Sequence, residues 1–268
     1  MEIAIVYMVA GLSSRFGGKI KQLAKIGPEE ETLIEYSLKQ ALKAGFTKII
    51  FIVGEKTEKP FREMFEDNYM RIPVYYTKQE YNAEKRDKPW GTVDALCSAR
   101  GLIDCPFVLC NGDDIYGENT FKILFEHIKN KTGYATIGYK LRDVIPKEGS
   151  VNRGIFQVKD NFVNSITEVF NITSENLASK NLSKENLCSM NIFALYPDVI
   201  CKLGKALIEF KEENQHDKKI ECLLPKEINN LIERGKVTME IYKTSDKWLG
   251  VTNPEDELIV REQLKDKN

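Results

Sequence analysis

Histidine is nearly missing from this chain of 268 residues, which has only His127 and His216. His127 falls in a predicted helix and His216 in a charged segment, so neither a histidine zinc site nor a Ser-His-Asp triad is easily assembled, which removes most hydrolase mechanisms. Paired cysteines are lacking too. Cys97, Cys105, Cys110, Cys188, Cys201 and Cys222 are scattered without a C-x-x-C pair, several inside apolar runs, as expected of reduced thiols in a cytoplasm and not of a disulfide framework. Neither sign of charge prevails: 39 basic and 40 acidic side chains give a net charge of −1, which leaves no general attraction for nucleic acid or an anionic membrane. No apolar run approaches a bilayer span, and residues 3–10 have no basic segment before them and no cleavage site after them, so they read as a buried strand. Linkers and internal repeats are also missing, so one domain in two lobes is expected, residues 1–132 and 133–268.

What is present is an opening segment, Ile5 to Gln22, where an apolar strand runs into small residues, glycines and the cations Arg15, Lys19 and Lys21. Gly11, Ser13, Ser14, Gly17 and Gly18 let backbone N–H groups close on an anion, because few Cβ atoms obstruct the approach. The cations add charge that the backbone lacks. Such a loop after a first strand suits a polyphosphate, since open α/β sheets bind ligands at that edge. Spacing excludes two familiar phosphate loops. Gly18-Lys19 is followed by Ile20, and the place of the first Walker A glycine is held by Ser13, while Gly11-Leu12-Ser13 breaks the dinucleotide fingerprint.

Periodicity predicts alternation through the first half: strand 2–9, helix 32–44, strand 48–53, a helix near 58–66, strand 72–77, helix 92–102, strand 106–111 and helix 118–130. Buried strands between helices mean a largely parallel sheet covered on both faces. After residue 133 the pattern changes. Segments 133–140, 154–159, 162–169 and 188–196 read as strands, with a tight turn at Lys159-Asp160-Asn161 and a polar loop over 171–187. Helices 197–213 and 220–234, strand 236–243 and helix 254–264 complete the chain. The expected fold is α/β: a Rossmann-like three-layer α/β/α arrangement with a mostly parallel mixed central sheet and a smaller β-rich elaboration over the mouth of the site.

Strand 106–111 ends in Asn111-Gly112-Asp113-Asp114, which places two carboxylates on the same sheet edge as the first loop. Paired aspartates in a turn often only cap a helix. Beside a cationic phosphate loop, however, their hard oxygens suit Mg²⁺, which binds through one or two carboxylates plus substrate phosphates. Asp113 and Asp114 are therefore the candidate metal ligands.

Val9-Ala10-Gly11-Leu12-Ser13-Ser14-Arg15 with Lys21 is followed by Thr32-Leu33-Ile34-Glu35-Tyr36-Ser37, Gly45, Gln79, Pro89-Trp90-Gly91-Thr92 and Asn111-Gly112-Asp113-Asp114. Gly154, Glu168 and Ser189-Met190-Asn191 come later. In this order, over nearly the whole chain, the motifs resemble the sugar-phosphate nucleotidyltransferases with a Rossmann-like fold. The resemblance implies a nucleoside triphosphate and a phosphate-bearing acceptor, a sugar 1-phosphate foremost, with Mg²⁺ as cofactor. The acceptor oxygen would attack the α-phosphorus in line and release pyrophosphate. It further implies nucleotide contacts at Ala10, Gly11, Leu12 and Ser13, with Arg15 on the β- and γ-phosphates and Lys21 on the α-phosphate and approaching acceptor. Asp113 would hold the metal and Gln79 would read a base edge beside Trp90, Gly91 and Thr92. Asn111, Gly154, Glu168 and Asn191 would contact the acceptor, with Glu168 taking its hydroxyls.

Two places depart from that family. Glu168-Val169-Phe170 lacks the lysine of Glu-Lys-Pro, and Trp248-Leu249-Gly250-Val251-Thr252 has glycine where Trp-x-Asp-x-Gly carries a second metal ligand. Asp114 or Asp246 is left to complete the metal shell, and Lys140, Arg153, Lys243 or Lys247 to replace the cation. Rival readings are a cytidylyltransferase for a non-sugar phosphate or phosphonate, a nucleotide-sugar-dependent glycosyltransferase, and a non-catalytic nucleotide-sugar sensor. Self-association into a homo-oligomer is left open.

Overall fold

The computed structural model describes residues 1–11, 20–146, 149–251 and 256–265. Its first half runs β1 (Ala4–Met8), α1 (Leu33–Ala44), β2 (Lys48–Val53), α2 (Glu55–Phe65), β3 (Asn68–Tyr69), β4 (Ile72–Lys78), α3 (Thr92–Ser98), β5 (Phe107–Asn111), β6 (Asp114–Ile115) and α4 (Glu118–Asn130). The second half runs β7 (Tyr134–Ile137), β8 (Tyr139–Lys140), α5 (Leu141–Val144), β9 (Val151–Lys159), β10 (Phe162–Ile172), β11 (Leu187–Cys188), β12 (Phe193–Leu195), α6 (Asp198–Glu213), α7 (Leu224–Glu233), β13 (Met239–Tyr242), β14 (Leu249–Gly250) and α8 (Asp256–Lys265). Among the described residues, no helix is long and apolar enough to cross a membrane.

Strands β4, β2, β1 and β5 are parallel neighbours, and every residue of β2 is buried. Alternate residues feed two opposite cores, as strand geometry requires. Ile5, Tyr7, Ile49 and Phe51 pack with Leu38, Phe61 and Phe121 of α1, α2 and α4. Ala4, Val6, Ile50 and Ile52 pack with Leu96, Leu203 and Ile228 of α3, α6 and α7. The result is the expected α/β layering around a mixed sheet.

Local chemistry sets several boundaries. Thr32 and Glu35 form a capping box at the start of α1, and Gly45 ends it at φ 110°. Asp160 (φ 52°) and Asn161 (φ 66°) supply the two left-handed residues of the β9–β10 hairpin turn. Other boundaries differ from expectation. The helix expected to reach residue 102 ends at Ser98, because its carbonyl accepts the Thr77 hydroxyl of β4 (2.7 Å) instead of continuing the helix. The strand expected over 188–196 is broken at Asn191, whose φ of 55° turns the chain and separates β11 from β12. The β-rich part joins the end of the same sheet: strand order is β3-β4-β2-β1-β5-β12-β7-β13-β10-β9-β11-β8. A separate two-stranded ladder pairs β14 with β6.

Candidate active site

The parallel core brings the C-terminal ends of β1, β2, β4 and β5 to one edge, with Met8 registered against Asn111. Gly112 donates its N–H to the Met8 carbonyl at 3.0 Å, and a side chain on it would collide with Val9 at 2.2 Å, so only glycine lets this turn lie against β1. Gly54 similarly rests on the Ala10 carbonyl. Among the described residues nothing crowds Gly11, and Gln22 donates to its carbonyl at 3.3 Å. Lys21, in a short 3-10 turn, reaches across this edge. Its ammonium lies 2.8 Å from Asp113 Oδ2, with the Lys21 side chain 11% exposed and that of Asp113 35%. The expected neighbours Leu12, Ser13 and Arg15 lie outside the described residues, as do Ser14, Gly17, Gly18 and Lys19.

Asp114 is enclosed directly behind Asp113. Its Oδ2 accepts from the Asn111 amide (2.9 Å) and the Tyr116 hydroxyl (3.2 Å). Burial, and secondly the Asp113 charge, push its carboxyl up to about 6. Asn111, expected at the acceptor, therefore spends its amide on Asp114. Tyr116, which sequence reasoning did not single out, accepts the Asn111 N–H at 3.1 Å and lies 2.8 Å from the Met190 carbonyl, so it ties the end of β5 to the turn at 189–191.

The expected acceptor residues come together through the β9–β10 hairpin. Glu168 is the register partner of Gly154, the Gly154 carbonyl accepts from Ser189 N–H at 2.8 Å, and the Ser189 hydroxyl accepts from Asn191 N–H at 3.2 Å. Burial raises the Glu168 carboxyl, opposed by the nearby Arg153 charge. The Asn191 side-chain oxygen is buried without a partner among the described residues.

Among the residues expected at the base, Gln79 follows β4 and is buried. Its amide nitrogen donates to the Gly91 carbonyl (3.0 Å) and to Asp94 Oδ2 (2.8 Å). The Arg86 guanidinium lies 3.4 Å from the Trp90 ring centroid, and Phe210 meets that ring edge-on, so packing occupies much of the indole. Gly91, at φ 99°, makes room for the backbone of Cys222, which a side chain would meet at 2.7 Å. The Thr92 hydroxyl accepts from Leu224 N–H at 2.8 Å. Segment 217–224, expected in part as helix, is thus zipped to the turn before α3. Arg86 completes the zipper by donating to the carbonyls of Lys88, Asp217 and Ile220. A lone arginine in a polar loop gave no signal of this.

The departing positions also have definite surroundings. A side chain on Gly250 would begin 2.3 Å from the Trp248 ring. Asp246 Oδ2 accepts from the Thr120 N–H at 2.8 Å, in the first turn of α4. Lys140 is paired with Glu185 at 2.8 Å. Arg153 donates to the Val144 carbonyl at 3.2 Å and lies over Trp248, while Lys243 and Lys247 are exposed. A cluster of Glu2, Asp104 and Cys105 is of a geometry that could hold a metal, but it surrounds Lys48 at the opposite strand ends. At the site itself the donor set would suit Mg²⁺ held sparingly by protein: Asp113 offers a partly exposed carboxylate at the end of β5, and substrate phosphates would supply further oxygens.

Several solved structures share this fold. A Bacillus anthracis protein assigned as a glucose-1-phosphate thymidylyltransferase, solved with sucrose, is 14% identical with a TM-score of 0.72, covering 99% of this chain and 96% of its own. A UDP-glucose pyrophosphorylase complexed with UDP-glucose is 15% identical, with a TM-score of 0.69 and full coverage of both chains (100% and 100%). An inositol-1-phosphate CTP transferase from T. maritima is 14% identical, with a TM-score of 0.70 over 99% of this chain and 97% of its own. At such identities the likeness is one of fold. No curated protein sequence matches. The family model described as nucleotidyl transferase matches residues 17–267, so this chain belongs to the nucleotidyl transferase family of enzymes.

Proposed function

We propose that the enzyme joins a nucleoside triphosphate to a sugar phosphate, foremost a sugar 1-phosphate, giving an NDP-sugar and pyrophosphate. Lys21 and Asp113 carry this reading, a cation and a carboxylate held 2.8 Å apart at the C-terminal edge of β1 and β5. A phosphate monoester is already an anionic nucleophile, so the protein needs to position two anions and offset their charge; it needs no strong base. The scarcity of histidine is then no handicap.

In this reading Ala10 and Gly11, with Leu12 and Ser13, hold the nucleotide against backbone N–H groups, and Arg15 takes the departing pyrophosphate. The Lys21 ammonium faces the α-phosphate and the incoming acceptor oxygen. Asp113 would hold Mg²⁺, which when bound offsets phosphate charge and eases departure of pyrophosphate. Asp114 stays behind, orienting Asn111 and the turn. Glu168 accepts hydroxyls of the acceptor, and Gly154 and Asn191 border the same space. Residues 1–132 then form the nucleotide lobe and 133–268 the acceptor lobe, and the unpaired cysteines suit a cytoplasmic enzyme.

The test is pyrophosphate release from each of the four NTPs with Mg²⁺ and a panel of sugar, polyol and amino-alcohol phosphates. Release with a sugar phosphate is expected. Turnover confined to CTP with a non-sugar acceptor would replace the sugar reading, and cleavage of NDP-sugars without NTP-dependent pyrophosphate release would make the enzyme a glycosyltransferase.

A further inference from the structure

Arg153 is a half-buried guanidinium whose hydrogen-bond partners among the described residues are backbone carbonyls: Nη1 donates to Asn152 at 3.0 Å and Nη2 to Val144 at 3.2 Å. Its Nε–H is buried and has no partner among the described residues. A buried donor left unpaired calls for an acceptor from outside the chain. The Trp248 indole, whose ring centroid lies 5.5 Å from the guanidinium, has the same gap, since its Nε1–H is also buried and unpartnered.

Register decides where Arg153 points. It pairs with Val169 across the β9–β10 ladder, and directly opposed residues put their side chains on one face of a sheet. From that face the guanidinium extends to Trp248, which abuts Gly250, and Gly250 pairs with Asp114, the neighbour of Asp113. Arg153 is thereby brought between the hairpin that carries Glu168 and the turn that carries Asp113. Its charge is felt on both sides: burial raises the carboxyls of Glu168 and Asp114, and at each of them Arg153 pulls the other way. Of the cations that the sequence leaves open for this place, Lys140 is paired with Glu185 at 2.8 Å, and Lys243 and Lys247 are exposed. Arg153 is the one among them that combines burial with an unpaired donor.

We propose that Arg153 binds the phosphate of the acceptor, reaching it from the strand opposite Val169. This rests on the nucleotidyl-transfer reading of the site and deepens it by naming the residue that holds the second substrate. A planar guanidinium stacked on an indole presents its N–H groups in a fixed direction and can pair with two phosphate oxygens at once. Held there, it orients the attacking oxygen and offsets the charge of one phosphate drawn toward another.

Steady-state kinetics of pyrophosphate release tests it, with glucose 1-phosphate as the first probe and, where that does not turn over, the phosphate of the panel that gives the fastest release. In Arg153→Met the acceptor KM is expected to rise about tenfold or more, while the affinity for the NTP with Mg²⁺, read by calorimetry, stays within about twofold. Adding Val169→Lys to Arg153→Met returns a cation to the same face from the other strand and should lower that KM again. A merely structural loss at Val144 and Trp248 would not be repaired in this way. A wild-type acceptor KM in Arg153→Met, an equal loss of nucleotide and acceptor, or no recovery in the double variant would overturn the inference while leaving the site's function standing. Val169→Lys alone keeps Arg153 and its contacts, so it serves where Arg153→Met does not fold: a lower acceptor KM is expected, and an unchanged or raised one would overturn the inference. No pyrophosphate release by the wild-type protein with any phosphate of the panel would remove the underlying reading together with this one.

Discussion

Gly250 and the Trp248 indole compete for one space: a side chain at 250 would begin 2.3 Å from the ring, and Gly250 is the register partner of Asp114. The ring is half-buried against the larger core and lies beneath Arg153, so it cannot swing aside freely. A carboxylate at 250 is therefore excluded by shape as well as by sequence. Gly250→Asp is expected to cost about 1–3 kcal/mol in urea unfolding through overpacking. In a double-mutant cycle with Trp248→Ala the two losses should be less than additive. Strict additivity would show that the ring is not the obstacle.

The Lys21–Asp113 pair is unequal in exposure, 11% against 35% for the two side chains, and this ranks the effects of removing either partner. Lys21→Ala leaves a carboxylate that water reaches, so stability should drop by under about 1 kcal/mol while turnover falls by about a hundredfold or more. Asp113→Ala leaves an enclosed ammonium unpaired and should cost about 1–3 kcal/mol as well as activity. Chemical unfolding of both variants, alongside the pyrophosphate assay, checks the ranking. Full activity in either would remove the pair from the mechanism.

Asp114 gives stability a pH dependence of defined sign. Its carboxyl rises from 3.8 to about 6 on folding, so the folded state holds the proton more tightly than the unfolded chain. That contribution is fully present below about 4 and is lost as pH rises past about 6. Asp114→Asn keeps the shape and removes the charge. Unfolding free energies measured from about pH 4 to 7.5 should therefore show wild type losing ground to Asp114→Asn as pH rises. Parallel profiles would mean that Asp114 is not buried as a charge.

Arg86 is 4% exposed and donates to carbonyls on two segments that are more than 120 positions apart in sequence. Arg86→Met should cost about 2–3 kcal/mol, since it leaves carbonyls unpaired and uncovers Trp90. Arg86→Lys should recover little, because an ammonium cannot present three planar donors while stacking. Thermal unfolding of the two variants decides this, and full rescue by lysine would reduce the contact to charge alone.

Much of the first half of the chain is legible because its signals are local. Strand 48–53 and helix 118–130 have the bounds that their patterns predict, since alternation, capping and apolar faces are written in neighbouring residues. The grouping of Gly154, Glu168 and Asn191 is anticipated by the family's motifs. The helix that stops at Ser98 runs too long in the sequence reading because its last carbonyl is claimed by Thr77, a residue on another element. Trp90, Gly91 and Thr92 are expected beside the base, but their contacts with Arg86, Cys222 and Leu224 serve the zipper to segment 217–224.

Periodicity and motif order alone decided the α/β class, the parallel core and the edge at which Gly11, Gln79 and Asp113 meet, because a strand's end and the loop after it are set by adjacent residues. Only tertiary packing decided which side chains still have hydrogen-bonding capacity there. The Gln79 donors are taken by Asp94 and the Gly91 carbonyl, Asp94 is held by Lys211, and the Gly250 space is filled by Trp248. The first two of these contacts join separate elements, where no short-range pattern constrains the partner and close packing chooses it.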